Sequence, residues 1–198
     1  MQKGPMSFSS LGLTELILRA VDESGYTEPT PIQVETIPVV LSGKDVLAAA
    51  QTGTGKTAAF VIALFTRLQK NKPSSKKGPR ALVLAPTREL VVQICADAQA
   101  LGAHCPFKVQ PIFGGVDYEK QRSALQSGVD IIVATPGRLI DYAKQNVFSL
   151  GHVESLVIDE ADRMFDMGFL PDVHKIISRT PRERQTLLFS ATMAPTIR

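Results

Sequence analysis

Tryptophan is absent from this 198-residue chain, and aromatic residues make up only 6% of it. That leaves little from which to build a platform for stacking nucleobases. There are two cysteines, Cys95 and Cys105, and three histidines. None of these has metal-ligand spacing, so the cysteines read as reduced thiols of a cytosolic protein. No apolar run approaches the ~20 residues that cross a bilayer, and Met1 to Ser10 lacks the apolar core of a secretory signal. The expectation is a cytoplasmic protein without membrane contact. Neither sign of charge dominates. A formal net charge of +3 permits a nucleic-acid partner without arguing for one. Internal repeats and low-complexity tracts are also missing. Apolar residues at 44% and charged residues at 21% suit one sizeable core, hence a single domain over residues 1–198.

What is present is concentrated in two stretches. Ala50-Gln51-Thr52-Gly53-Thr54-Gly55-Lys56-Thr57 follows an apolar run and opens a helical pattern. Glycines there let backbone N–H groups approach a phosphate chain, Lys56 adds positive charge, and the Thr57 hydroxyl can ligate Mg²⁺. The common phosphate-loop pattern has glycine where Ala50 stands, and the bland alternative is a Gly/Thr-rich turn before an ordinary helix. The second stretch, Asp159-Glu160-Ala161-Asp162, ends another apolar run. It reads either as catalytic carboxylates at a strand end or as an acidic helix start. Together the two stretches are the equipment of a nucleoside triphosphatase.

Strand-like runs occur at 46–50, 81–85, 109–113, 131–134, 156–158 and 186–189. Helical patterns fill 56–68, 88–101, 118–126, 137–144 and 170–177, and two earlier ones cover 11–23 and 31–41. Thr30, Pro31 and Gln33 have the positions of an N-cap, a first-turn proline and a capping-box partner, and Pro38 is an irregularity inside that helix. Continuously apolar strands separated by helices imply an α/β fold, a doubly wound parallel sheet covered on both faces. Ligands then sit beyond the carboxyl ends of the strands. Residues 71–79 read as a solvated loop. The six basic residues from Arg67 to Arg80 offer an RNA contact as the alternative to simple solvation.

Further stretches stand in order around these two. They are Pro29-Thr30-Pro31-Ile32-Gln33, Pro86-Thr87-Arg88-Glu89-Leu90, Gly114-Gly115, Thr135-Pro136-Gly137-Arg138 and Ser190-Ala191-Thr192. The whole series resembles the DEAD-box ATP-dependent RNA helicases, over nearly the full chain. Residues 137–142 and 163–169 look most like the bacterial branch. Alanine in place of the first phosphate-loop glycine is usual in that family.

The resemblance implies a RecA-like P-loop NTPase fold, with residues 1–42 as a helical extension. Every matched motif belongs to the first of the family's two RecA-like domains. The second, with its arginine fingers and further RNA contacts, is expected to lie outside this chain. The resemblance also implies ATP and Mg²⁺ as cofactors, RNA as partner, and RNA-processing or ribosome-assembly proteins as further partners.

By the same resemblance Gln33 reads adenine, shaped by Thr30 and Pro31, and Phe8 stacks on the base. For Gln33 the plain alternative is the cap, and for Phe8 core packing. Gln51, Thr52, Gly53, Thr54, Gly55, Lys56 and Thr57 hold phosphates, with Thr57 and Asp159 toward Mg²⁺ and Glu160 positioning water. Asp162 bonds Ser190 or Thr192 and couples hydrolysis to movement; strand-end capping is the alternative there. Pro86, Thr87, Arg88, Gly114, Gly115, Thr135, Pro136, Gly137 and Arg138 contact the RNA backbone, and Thr135-Pro136 would equally serve as an N-cap. A reading of another class remains: a nucleotide-binding interaction module without useful catalysis.

Overall fold

Strand segments with no polar alternation are stable only where both faces are covered, and the structure arranges them so. The computed structural model describes residues 6–71 and 78–192. Six strands form one sheet: β1 (Val46–Ala49), β2 (Ala81–Leu84), β3 (Val109–Ile112), β4 (Ile131–Ala134), β5 (Ser155–Ile158) and β6 (Gln185–Ser190). Their order is β1-β6-β5-β2-β4-β3, and every pairing is parallel. Strands β2, β4 and β5 are buried throughout, whereas the edge strands β1 and β3 are partly exposed.

Eight α-helices cover the sheet among the described residues. They are α1 (Glu15–Glu23), α2 (Pro31–Leu41), α3 (Lys56–Lys70), α4 (Arg88–Leu101), α5 (Tyr118–Gln126), α6 (Pro136–Lys144), α7 (Ala161–Asp166) and α8 (Leu170–Ile177). Alternate strand residues sort into two cores. Ala81, Val83, Ile131, Val133 and Val157 pack with α1 to α4, and Leu82, Leu84, Ile132, Leu156 and Ile158 pack with α5, α6, α7 and α8. Parallel crossovers share one hand. The chain runs outward from β1 through β2 to β3, then returns through β4 and β5 to β6, so the reversal at β3 moves the helices to the other face. The doubly wound α/β fold expected from the sequence is therefore present, with strand boundaries within about one residue of expectation.

Two elements differ from the sequence reading. The helix expected at 11–23 begins only at Glu15, because Gly12 is left-handed (φ +76°) and Thr14 is extended; a 3₁₀ turn, Phe8–Leu11, precedes it. The six-residue α7 had only its start marked, by the acidic-helix alternative at Asp159–Asp162, since so short a helix carries too few apolar positions to show a period. Pro38 sits inside α2 without ending it.

The basic stretch also changes meaning. Arg80 is buried, and its guanidinium pairs with Glu154 at 2.6 Å. It also donates to the carbonyls of Leu68 and Asn71 at 3.1 Å each, tying the end of α3 to the start of β2. Lys70 Nζ donates to the carbonyl of Gly12 at 2.7 Å. These two cations serve the fold, while Lys72, Lys76 and Lys77, on which the proposed loop contact rests, lie outside the described residues.

Removing Glu154 leaves a buried guanidinium with two carbonyls and no counter-charge. Glu154→Ala is expected to cost about 2–3 kcal/mol, below the full value for a buried pair because Glu154 is partly solvated. Urea unfolding should show a lower midpoint at unchanged slope; a stability equal to the parent would refute the assignment.

Candidate active site at the carboxyl edge of the sheet

Because all six strands run the same way, the turns that follow them open at one edge. The loop after β1 begins with the N–H of Ala50 donating to the Ser190 carbonyl at 3.0 Å. It then leaves the sheet through two left-handed glycines, Gly53 (φ +83°) and Gly55 (φ +87°). The Thr54 hydroxyl donates to the Gln51 carbonyl at 2.8 Å and closes the turn. Gln51 to Thr54 are exposed, and Lys56 and Thr57 form the first turn of α3. Unpaired N–H groups and the helix dipole favour an anion at that point.

Gly55 is required for a second reason. A Cβ there would lie 2.8 Å from Gln33 Nε2 and 2.9 Å from Thr30 Oγ1. The Gln33 side chain is fully buried. Its Oε1 accepts from the Thr30 N–H at 2.9 Å, and its Nε2 donates to the Gly55 carbonyl at 3.1 Å. One arm of the capping box is thus formed, while the buried Thr30 hydroxyl has no partner. In this conformation the Gln33 amide is engaged with the backbones of Thr30 and Gly55, as the cap alternative expects.

Phe8 likewise packs into the core, at 5% exposure, edge-on to Tyr26 with ring centroids 6.3 Å apart. The packing alternative describes it, and the half-buried ring beside it is Tyr26. Sequence reasoning passed over Tyr26, although an aromatic four residues before Thr30 was a signal available to it.

The acidic motif extends β5. Asp159 N–H donates to the Leu84 carbonyl at 2.9 Å, which holds the residue in the sheet and buries it completely. Lys56 Nζ reaches Asp159 Oδ1 at 2.9 Å and Glu160 Oε1 at 3.7 Å. Burial pushes the Asp159 carboxyl above its ordinary range, and the Lys56 ammonium opposes that. Its second oxygen, Oδ2, is buried without a partner. Glu160 is a non-glycine residue in the left-handed region, φ +52°. That conformation costs on the order of 1 kcal/mol and carries the chain abruptly from β5 into α7. The Glu160 carboxylate then lies between Lys56 and Arg163, the latter at 3.4 Å.

Asp162 joins the ends of β5 and β6. Its N–H donates to Ser190 Oγ at 3.2 Å, and its Oδ2 accepts from the Thr192 N–H at 3.1 Å and the Thr192 hydroxyl at 3.2 Å. Burial raises its pKa, but the hydrogen bonds from Ser190, the Arg163 backbone and Thr192 outweigh burial and hold it below the usual value.

The remaining candidates gather at the ends of β2, β4 and β3, the other half of the same edge. Thr87 caps α4, its Oγ1 accepting from the Leu90 N–H at 3.3 Å. Pro86 is buried behind it. Thr135 is the N-cap residue of α6 with no side-chain cap bond, and Pro136 fills the first helical position ahead of an exposed Gly137. The exposed Gly114-Gly115 turn, with Gly115 at φ +81°, is flanked by two arginines. Arg88 lies over the Phe113 ring at 5.1 Å and would stand 3.7 Å from a Cβ on Gly115. Arg138 lies over Tyr118 and Tyr142, at 5.2 and 5.9 Å, and would stand 3.9 Å from a Cβ on Gly114. The candidate residues therefore form two clusters. One is a phosphate-type loop with carboxylates at β1, β6 and β5; the other is an arginine–glycine–threonine group at β2, β4 and β3.

Comparison with known proteins gives the family. The family model described as DEAD/DEAH box helicase matches residues 30–198. The ATP-dependent RNA helicase RhlB of Xanthomonas oryzae pv. oryzae is 52% identical over 196 residues, covering 96% of this chain and 34% of that protein. Those of Idiomarina loihiensis and Pseudoalteromonas atlantica are 50% and 47% identical, each covering 94% of this chain and 45% of the relative. The chain thus spans between a third and a half of the length of these relatives.

The Asp162 clasp has a pH signature. A carboxylate whose folded pKa is depressed contributes stability above its unfolded pKa and loses it as pH falls through the folded value. The stability difference between the parent and Asp162→Ala should therefore be flat from neutral pH down to the ordinary 3.8 and shrink only below it. A difference that already shrinks at about pH 5, a full unit above the unperturbed carboxylate, would contradict the clasp.

Proposed function

The chain belongs to the DEAD/DEAH box helicase family, and on that premise we propose that it is the ATP- and RNA-binding half of an ATP-dependent RNA helicase. The observation that carries this reading is the division of one sheet edge into the two clusters. A triphosphate on the loop at β1 and an RNA backbone on the ends of β2, β4 and β3 would flank the same central strand, β5. Asp162 links that strand to Ser190 at the end of β6 and to Thr192 just beyond it, a path that carries hydrolysis to the domain surface. In this proposal a second RecA-like domain completes the site, and the partners are RNA and RNA-processing or ribosome-assembly proteins. The proposed setting is the cytoplasm; among the described residues no helix is long and apolar enough to cross a membrane.

Phosphate oxygens arriving at residues 53–57 meet backbone N–H groups and the α3 dipole. They also compete with Asp159 for Lys56, whose ammonium would turn to them. Thr57 and Asp159 are the residues suited to Mg²⁺. Both offer hard oxygen donors, and the unpartnered Oδ2 of Asp159 is a buried acceptor without a donor. Bound there, the ion would neutralise charge on the phosphates. Glu160, beside Asp159 and half released once Lys56 turns away, is placed to accept the proton of an attacking water. Arg88, Arg138, Thr87, Thr135 and the N–H groups of Gly114 and Gly115 hold phosphate and sugar rather than base edges, which suits action on many sequences. Adenine selectivity falls to Gln33 once its bond to Gly55 loosens, with half-buried Tyr26 as the more exposed aromatic surface.

Calorimetric titration with ADP and GDP, each with Mg²⁺, tests the nucleotide site. The expected result is preference for ADP, lost in Gln33→Ala, and general weakening in Lys56→Ala. Equal affinity for the two nucleotides would reduce Gln33 to a cap and a loop anchor. In the complete two-domain protein, Glu160→Gln should lower ATP turnover by about 10²–10⁴. Turnover that survives this change would favour a nucleotide-binding interaction module. Without the arginine fingers of a second domain, this chain alone should turn over ~10³–10⁵ more slowly.

A further inference from the structure

Gln121 is buried at 7% exposure on α5, a helix otherwise mostly polar. Its amide is committed in a specific way. Oε1 accepts from the Phe113 N–H at 3.2 Å and Nε2 donates to the Phe113 carbonyl at 3.0 Å. That pair of bonds is what a neighbouring strand would supply. Strand β3 is an edge strand paired only with β4, and its ladder ends at Ile112 against Ala134. Phe113 is therefore the first residue past the ladder, buried at 9% exposure. Both of its backbone groups need partners, and Gln121 provides them.

Two consequences meet at this residue. Gly114 and Gly115 follow directly, so the bonds to Phe113 set the direction in which the turn leaves the sheet. The Phe113 ring, in turn, is the surface on which the Arg88 guanidinium rests. We propose that Gln121 is a positioning residue for RNA binding: by clamping the Phe113 backbone it holds the Gly114-Gly115 turn and, through the Phe113 ring, the Arg88 guanidinium in the geometry that receives a phosphate. The proposal rests on the reading of these strand ends as the RNA site. Gln121 touches no RNA itself, and no local sequence pattern distinguishes it from the other polar residues of α5.

The test is fluorescence anisotropy of a labelled single-stranded oligouridylate binding to this chain across a salt series. The proteins compared are the parent, Arg88→Ala, Gln121→Ala, Gln121→Glu and the Arg88→Ala/Gln121→Ala double variant. ADP affinity is measured in parallel. Gln121→Glu is nearly isosteric; it keeps the acceptor for the Phe113 N–H but sets a carboxylate against the Phe113 carbonyl, so it carries the test if Gln121→Ala does not fold. Arg88→Ala should weaken binding on the order of tenfold, the worth of a hydrogen bond to a charged group. Both Gln121 variants should weaken it in the same direction and flatten the salt dependence by about 0.7 in log–log slope, the signature of one lost phosphate contact on a single strand. ADP affinity should stay unchanged, and the double variant should lose less than the two single losses combined, because part of the Gln121 effect runs through Arg88.

Parent-like RNA binding by the Gln121 variants, with Arg88→Ala weakened, would overturn the proposal and leave the RNA site standing. So would losses that simply add to those of Arg88→Ala, or that extend to ADP. An Arg88→Ala variant that binds like the parent would overturn the site itself.

Discussion

The constraint on which the structure depends is the double burial of a parallel sheet. A strand covered on both faces has no room for polar side chains, so polar chemistry can appear only where the strands end. With all six strands parallel, every such ending on the carboxyl side lies along one edge. The order β1-β6-β5-β2-β4-β3 then decides which motifs become neighbours. Ala50, at the start of the phosphate-type loop, and Ser190 meet although they lie far apart in sequence, because β1 and β6 pair. The Gly114-Gly115 turn meets Arg88 and Arg138 because β3 lies at the far margin, with α4 on one face and α6 on the other.

At the centre of that edge the electrostatics are tight. Lys56 and Asp159 are both nearly inaccessible and stand 2.9 Å apart. Each makes the burial of the other tolerable, since an unpaired charge there would be strongly destabilising. Such a pair is also a natural exchange point. A phosphate chain can take over the ammonium and a divalent cation the carboxylate, and neither charge is left bare. The left-handed Glu160 beside them is a local strain of the kind that collects at functional positions. It is held by the continuous strand before it and by α7 after it.

Similar reasoning explains the places these side chains take. Gln33 carries an amide NH2 and a carbonyl oxygen into a fully buried place, and the partners there are the backbones of Thr30 and Gly55. Phe8 finds Tyr26 and an apolar core within reach, and burial wins for a ring of that size. Arg80 belongs by sequence to a basic stretch, yet Glu154 comes beside it only because β2 pairs with β5. Gln121 is the same lesson reversed: nothing in the local pattern of α5 marks it, and its importance lies in an edge strand that runs out of partners.

The fold class and the make-up of the candidate site were legible in the sequence. Apolar runs, glycine-rich turns and helix starts are local signals, set by side-chain periodicity and by the φ values glycine and proline allow. They located all six strands and placed Lys56, Thr57, Asp159 and Glu160 at strand ends. The remaining contacts follow from the order of the strands and the packing on them. Strand order placed Asp162 against Thr192, paired Arg80 with Glu154 and brought Arg88 and Arg138 to one turn. It also left Phe113 with a backbone that Gln121 had to complete. Those contacts join residues far apart in sequence, and their geometry follows from sheet order and packing, which no local pattern encodes.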